Sequence, residues 1–127
     1  MKRTPFKLAL LLLSLPAAPL AHGAVLNDCQ RSGKKPVQIS SCLREEQIKA
    51  EASLNIATVQ ARRQTKGNPQ VLHDFDERHQ AWQIHRSREC RRRFDSAPPG
   101  SAAGDVRMAC EIELTRQRLA DIARRGL

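Results

Sequence analysis

The sequence predicts an all-α fold, a small bundle of about three helices braced by two disulfides. Three observations predict it. Apolar residues recur at alternating spacings of three and four over most of the chain, and no strand-like alternation interrupts them. Two strong breaks, Lys66-Gly67-Asn68-Pro69 and Ser96-Ala97-Pro98-Pro99-Gly100, divide those stretches. Finally, there are four cysteines, an even number, in a chain with three Phe, one Trp and no Tyr. A core so poor in aromatics stabilises weakly, and disulfides are the usual compensation in small exported domains.

Residues 1–23 read as a secretory signal peptide. Lys2, Arg3 and Lys7 precede or begin an apolar run from Leu8 to Leu15, and Pro16 ends it. Ala21 and Gly23 then supply small side chains at −3 and −1, so cleavage is expected after Gly23. The run is well short of the roughly 20 residues that span a bilayer. Leu26-Asn27-Asp28 also lacks the small residues that precede a lipid-modified cysteine, which argues against Cys29 as an anchor. The expected product is one domain, residues 24–127, in the periplasm or secreted, with no transmembrane segment. Removing the three leader cations lowers the formal charge from +9 to +6.

Residues 24–39 are polar and rich in turn formers (Asn27, Asp28, Gly33, Pro36) with no clear period, and read as an irregular segment tethered by Cys29. The first helix is expected to be capped at Ser40-Ser41, with Glu45 and Glu46 in its opening turns, where negative charge suits the helix dipole. Its inward stripe is Leu43, Gln47, Ala50, Leu54, Ala57 and Ala61. Lys66-Gly67 stops it. Asn68 and Pro69 then supply a cap and a first helical residue for the second helix, since proline's missing N–H costs nothing there. The second inward stripe is Leu72, Phe75, His79, Trp82, Arg86 and Cys90, and the helix should stop near Phe94-Asp95. Ser101 or Asp105 is expected to cap the third helix, with Val106, Ala109, Ile112, Leu119 and Ile122 as its apolar positions. The loop between the last two helices is short, so they should pack antiparallel.

Four cysteines allow three pairings. Cys29–Cys42 with Cys90–Cys110 is favoured, because each pair is joined by a short segment containing turn residues. A zinc site is disfavoured: the spacings contain no CxxC, and His73, His79 and His85, six apart, lie about 240° apart around a helix and share no face. No cofactor is implied. No Ser-His-Asp or Cys-His arrangement appears, so the chain is not expected to be an enzyme.

Trp82, Arg86 and Cys90, spaced four apart, fall on one helical face, followed across the break by Cys110, Thr115, Arg118 and Ile122. The pattern W-x3-R-x3-C, a glycine-containing loop with Gly100, then C-x4-T-x2-R-x3-aliphatic resembles the lysozyme inhibitor LprI-like family. Cys29, Cys42 and the amphipathic helix behind them resemble its upstream half, so the likeness covers most of residues 29–122. The resemblance implies an exported, mostly helical, disulfide-bonded domain, with lysozyme inhibition attributed to some members. It supplies no set of inhibitory residues. Trp82 reads as a core indole beside Arg86, with an exposed contact for a partner as the alternative reading. Arg86 and Arg118 are expected to meet across the last two helices and to pair with Glu89, Glu111 or Glu113.

Two functions follow, with different surfaces. One is inhibition by binding lysozyme or a related wall hydrolase, for which Asp74, Asp76 and Glu77 form a candidate acidic contact. Common lysozymes are basic, so a chain of +6 meets them against long-range repulsion. The other is binding of anionic envelope polymers through Arg91, Arg92 and Arg93. Nucleic acid is disfavoured as a partner, because only Trp82 and Phe94 lie near enough for base stacking and the chain is expected to be exported.

Overall fold

A computed structural model describes residues 23–100 and 102–125, and the expected signal peptide, but for Gly23, lies outside them. Four helices follow in order: α1 (Ala24–Ser32), α2 (Pro36–Thr65), α3 (Pro69–Asp95) and α4 (Ala103–Arg125). There is no strand among the described residues. The all-α class and the two disulfides are as expected; the number of helices is one more.

The extra helix is α1, in the segment expected to be irregular. Val25 and Cys29, four apart, are its two buried side chains. A stripe of two is too short to register as a period, and a helix of nine residues gains little from propensity alone. Packing against α2 and α4 and the Cys29–Cys42 bond hold it instead. Gly33 follows it with its N–H on the Cys29 carbonyl (2.9 Å). A Cβ there would come within 2.9 Å of the Gln38 Cβ, so glycine lets α1 turn directly into α2.

The start of α2 is also earlier than expected. Pro36 takes the first helical position, and the Gln38 side-chain oxygen accepts from the backbone N–H groups of Lys34 (3.2 Å) and Lys35 (3.1 Å). Ser40 is therefore no cap, and Glu45 and Glu46 lie beyond the opening turn. Asp105 is no cap either. It lies inside the first turn of α4, whose opening N–H groups at Asp105 and Val106 bond the Ala102 carbonyl (2.9 and 3.1 Å). The two expected caps are instead bonded to each other: the Ser40 hydroxyl donates to the buried Asp105 carboxylate at 2.8 Å. Ser101, the other expected cap, lies outside the described residues. At α3 the expectation holds. The Asn68 side chain accepts from the Val71 N–H (3.2 Å), Pro69 comes first, and the helix ends at Asp95.

Helix α4 is the centre of the bundle and packs on all three others. Cross-links fix the directions. Ser40–Asp105, Gln47–Glu111 (3.0 Å) and the Leu54–Ile122 packing run the same way along α2 and α4, which are parallel. Cys90–Cys110 and Phe75–Ile122 run opposite ways, so α3 is antiparallel to both. One core cluster joins α1, α2 and α4 through Val25, Cys29, Leu43, Ala50, Ala109 and Ile112. A second joins α2, α3 and α4 through Leu54, Ala61, Phe75 and Ile122. Gln47, the polar interruption in the α2 stripe, is thereby explained: it reaches the Glu111 carboxylate on α4.

Candidate functional site

Helical spacing on α3 builds a ladder of rings and cations. Phe75, His79, Trp82 and Arg86 follow one another at intervals of four, three and four, and so share a face. The Phe75 and His79 rings stack with centroids 6.0 Å apart, and the indole of Trp82 lies 5.3 Å beyond, tilted by 32°. Each end is closed by a guanidinium. Arg86 stands 4.7 Å from the Trp82 centroid, and Arg118, from α4, stands 5.6 Å from that of Phe75. His79 and Arg86 thus flank the indole, which stays half-buried.

The two arginines are satisfied very differently. Arg86 donates to the Glu51 carboxylate of α2 and to the Thr115 hydroxyl of α4 (2.8 Å), and that hydroxyl donates on to the Glu111 carbonyl (2.7 Å). One guanidinium therefore ties three helices together. Its carboxylate is Glu51, contrary to expectation, because antiparallel α2 brings that residue across from it. Glu89 is taken by Arg92 and Arg93, Glu111 by Arg107, and Glu113 by Arg93. Arg118 is buried, and its Nε and Nη2 have no hydrogen-bond partner among the described residues. Arg86 and Arg118 close opposite ends of the ladder; they do not form a pair.

Beside the ladder, α2 and α3 leave a cleft of about 160 Å³ lined by Glu51, Leu54, Asn55, Thr58, His79, Trp82, Gln83 and Arg86. Two further buried polar atoms on its lining, Thr58 Oγ1 and His79 Nδ1, lack partners. Burial holds the His79 imidazole below its ordinary pKa, and the nearby charges of Arg118, Arg62 and Arg86 add to this against Asp76. The cleft offers donors and acceptors of both kinds with an aromatic edge, and so suits polar recognition. It holds no nucleophile and base in hydrogen-bonded register.

Along its α2 rim runs an apolar ridge that the sequence reading did not single out. Ile48, Ala52, Ile56 and Val59 share one side of the helix at i, i+4, i+8 and i+11, next to Asn55. Ile48 and Ile56 are 63% and 59% exposed, high for isoleucine on a helix whose other face is fully packed. The signal was present as a second apolar stripe, offset from the core stripe of the same helix.

The members of the two charged clusters named from sequence all have partners within the protein, although in the acidic cluster only Asp76 meets a permanent cation. Asp74 accepts from Gln70 (2.8 Å), Asp76 from Arg62 (2.7 Å), and Glu77 faces the His73 imidazole (3.3 Å). Arg91 pairs with Asp95 (3.1 Å), Arg92 with Glu89 (2.8 Å), and Arg93 with Glu89 (2.9 Å) and Glu113 (3.5 Å). Hydrogen bonds from two arginines, Arg92 and Arg93, hold the Glu89 carboxyl down at about 2. The cations without an ion-pair partner among the described residues include Arg44, Arg63, Lys66, Arg78, Arg88 and Arg125. No three His, Cys, Asp or Glu side chains gather to hold a metal ion among the described residues, and no helix there is long and apolar enough to cross a membrane.

Comparison with curated proteins and with solved structures gives no match. A family model described as Lysozyme inhibitor LprI matches residues 27–122, from within α1 to the last buried residue of α4. That span takes in both disulfides, the whole ring ladder and both rims of the cleft, and the chain belongs to the lysozyme inhibitor LprI family.

Proposed function

We propose that the protein is an exported, non-enzymatic inhibitor that binds lysozyme or a related wall hydrolase through the face made by the α2 ridge and the α2–α3 cleft. Family membership over residues 27–122 is the observation that carries the activity. The choice of face rests on chemistry. An exposed aliphatic ridge beside a polar, aromatic-edged cleft has the apolar centre and hydrogen-bonding margin of a protein interface. Such a contact acts at short range, which suits a basic protein meeting a basic enzyme, because nothing in it depends on steering by charge. Asp74, Asp76 and Glu77, already engaged internally, become a secondary contact.

The test is a wall-lysis assay with the purified, oxidised protein in molar excess, run at several salt concentrations. Inhibition should be retained at high salt and weakened at least about tenfold by Ile48→Asp with Ile56→Asp, the usual scale for losing central interface residues. Both positions are exposed, so the helical circular-dichroism signal should not change. Full enzyme activity across a panel of lysozymes and wall hydrolases would sink the inhibitor reading. Inhibition that survives the double substitution would move the contact elsewhere.

A second reading, binding of anionic envelope polymers, draws on the protein's excess of cations. The internal pairing of Arg91, Arg92 and Arg93 shifts its weight to unpaired residues such as Arg63, Lys66 and Arg78. Steep loss of affinity with salt is its signature.

A further inference from the structure

The environment of Arg118 has no counterpart elsewhere among the described residues. Its side chain is only 7% exposed, one face lies on the Phe75 ring, and Nε and Nη2 are buried without a partner. These two nitrogens form one edge of the planar guanidinium, the edge whose parallel N–H groups match both oxygens of a carboxylate or two of a phosphate. A buried cation with that edge unmet is costly unless something anionic meets it.

The surroundings deepen the deficit. Arg118, Ile122 and Arg125 share one side of α4 at i, i+4 and i+7, and Arg78 follows Phe75 by three on α3. The charges of Arg78 and Arg125 both act on Arg118, and neither has an ion-pair partner among the described residues. The one carboxylate that helps is Asp121, and its ion-pair partner is Arg124. Arg118 therefore feels two further cations, Arg78 from α3 and Arg125 from its own helix, against one carboxylate that is already committed to Arg124. What sets Arg118 apart from the other arginines without an ion-pair partner is that it is buried.

We propose that Arg118, with Arg78 and Arg125, forms a binding site for a small oxyanion, a carboxylate or phosphate group received on the Nε–Nη2 edge of Arg118. Arg78 and Arg125 are exposed and long, and they close over the bound group from either helix. Both nitrogens of the edge are screened from solvent, so entry of the anion moves side chains at this edge. The site is separate from the α2 ridge and does not depend on the inhibitor reading.

The test uses the purified, oxidised, 15N-labelled protein. Sodium phosphate and, separately, sodium acetate are titrated against sodium chloride at equal ionic strength, following the Arg118 Nε–Hε resonance and the unfolding temperature. A saturable shift of that resonance and a rise in unfolding temperature, with phosphate or acetate but not chloride, support the site. A response to one anion alone identifies the group it takes. Arg118→Met should abolish the anion-dependent rise in unfolding temperature, while Arg88→Met, which removes an exposed arginine from the far half of α3, should leave both effects unchanged. If Arg118→Met does not fold, Arg78→Ala with Arg125→Ala replaces it; both residues are exposed, and the pair should weaken the anion at least about tenfold, the scale of losing charge-assisted hydrogen bonds. A chloride-equivalent response in the native protein overturns the proposal, as does a response that persists in Arg118→Met or is unchanged in the double variant.

Discussion

At the scale of single residues, the protein shows how differently polar groups fare on one helix face. Arg86 finds a carboxylate, a hydroxyl and an indole; His79, seven positions earlier on the same face, finds two rings and leaves Nδ1 unmatched. Its imidazole is surrounded by Phe75 and Trp82 on α3 and feels Arg62 from α2, Arg118 from α4 and Arg86, with only Asp76 opposing them. Burial first, and then those cations, disfavour the protonated form in the folded state. The unfolded chain protonates His79 near 6.5, before the folded one does, so the stability linked to this residue is present above that pH and falls away as pH drops through it. The urea midpoint should therefore decline between about pH 7 and pH 5, and His79→Gln should flatten the decline.

Elements are set by contacts that local propensity does not encode. The caps expected at Ser40 and Asp105 are good cap residues by chemistry, yet both lie inside their helices, within about a turn of the start, and a hydrogen bond between them joins two helix starts at once. The sharpest local constraint is Gly33, where α1 gives way to α2 and no room exists for a side chain. Gly33→Ala forces its Cβ against that of Gln38, a branch point on the backbone rather than a flexible tip. Overpacking of this kind costs about 1–3 kcal/mol. Urea denaturation should show that loss, accompanied by faster amide exchange in α1.

For the whole molecule, the two disulfides hold different things. Each closes a short loop and contributes about 3 kcal/mol in the chain-entropy view. Cys29–Cys42 fastens a nine-residue helix at the margin, whereas Cys90–Cys110 joins α3 to the central α4 with both sulfurs buried. Replacing Cys29 and Cys42 by alanine should release α1, with a loss of helical signal confined to that element. Replacing Cys90 and Cys110 should lower the stability of the entire bundle by about 3 kcal/mol and also loosen the ring ladder. Tryptophan fluorescence separates the two, since Trp82 reports only the second.

Much of this was legible in the chain itself. Periodicity in α2, α3 and α4 exposes the class, and Asn68-Pro69 marks one boundary correctly, because those signals depend on neighbours a few residues away. The W-x3-R-x3-C and C-x4-T-x2-R spacings identify the family for the same reason: fixed intervals on a helix fix a face. Three things were decided only by packing. Helix α1 exists because a disulfide and two partner helices hold a segment with too few apolar positions to declare itself. Arg86 chose Glu51 over three nearer candidates because α2 lies antiparallel across it, a relation no interval in the sequence expresses. Arg118, read as one half of an arginine pair, proved instead to be a buried cation with an open edge, since a partner's absence is a property of the assembled surroundings. Sequence determined which faces the helices carry; tertiary structure decided which charges on those faces would be met.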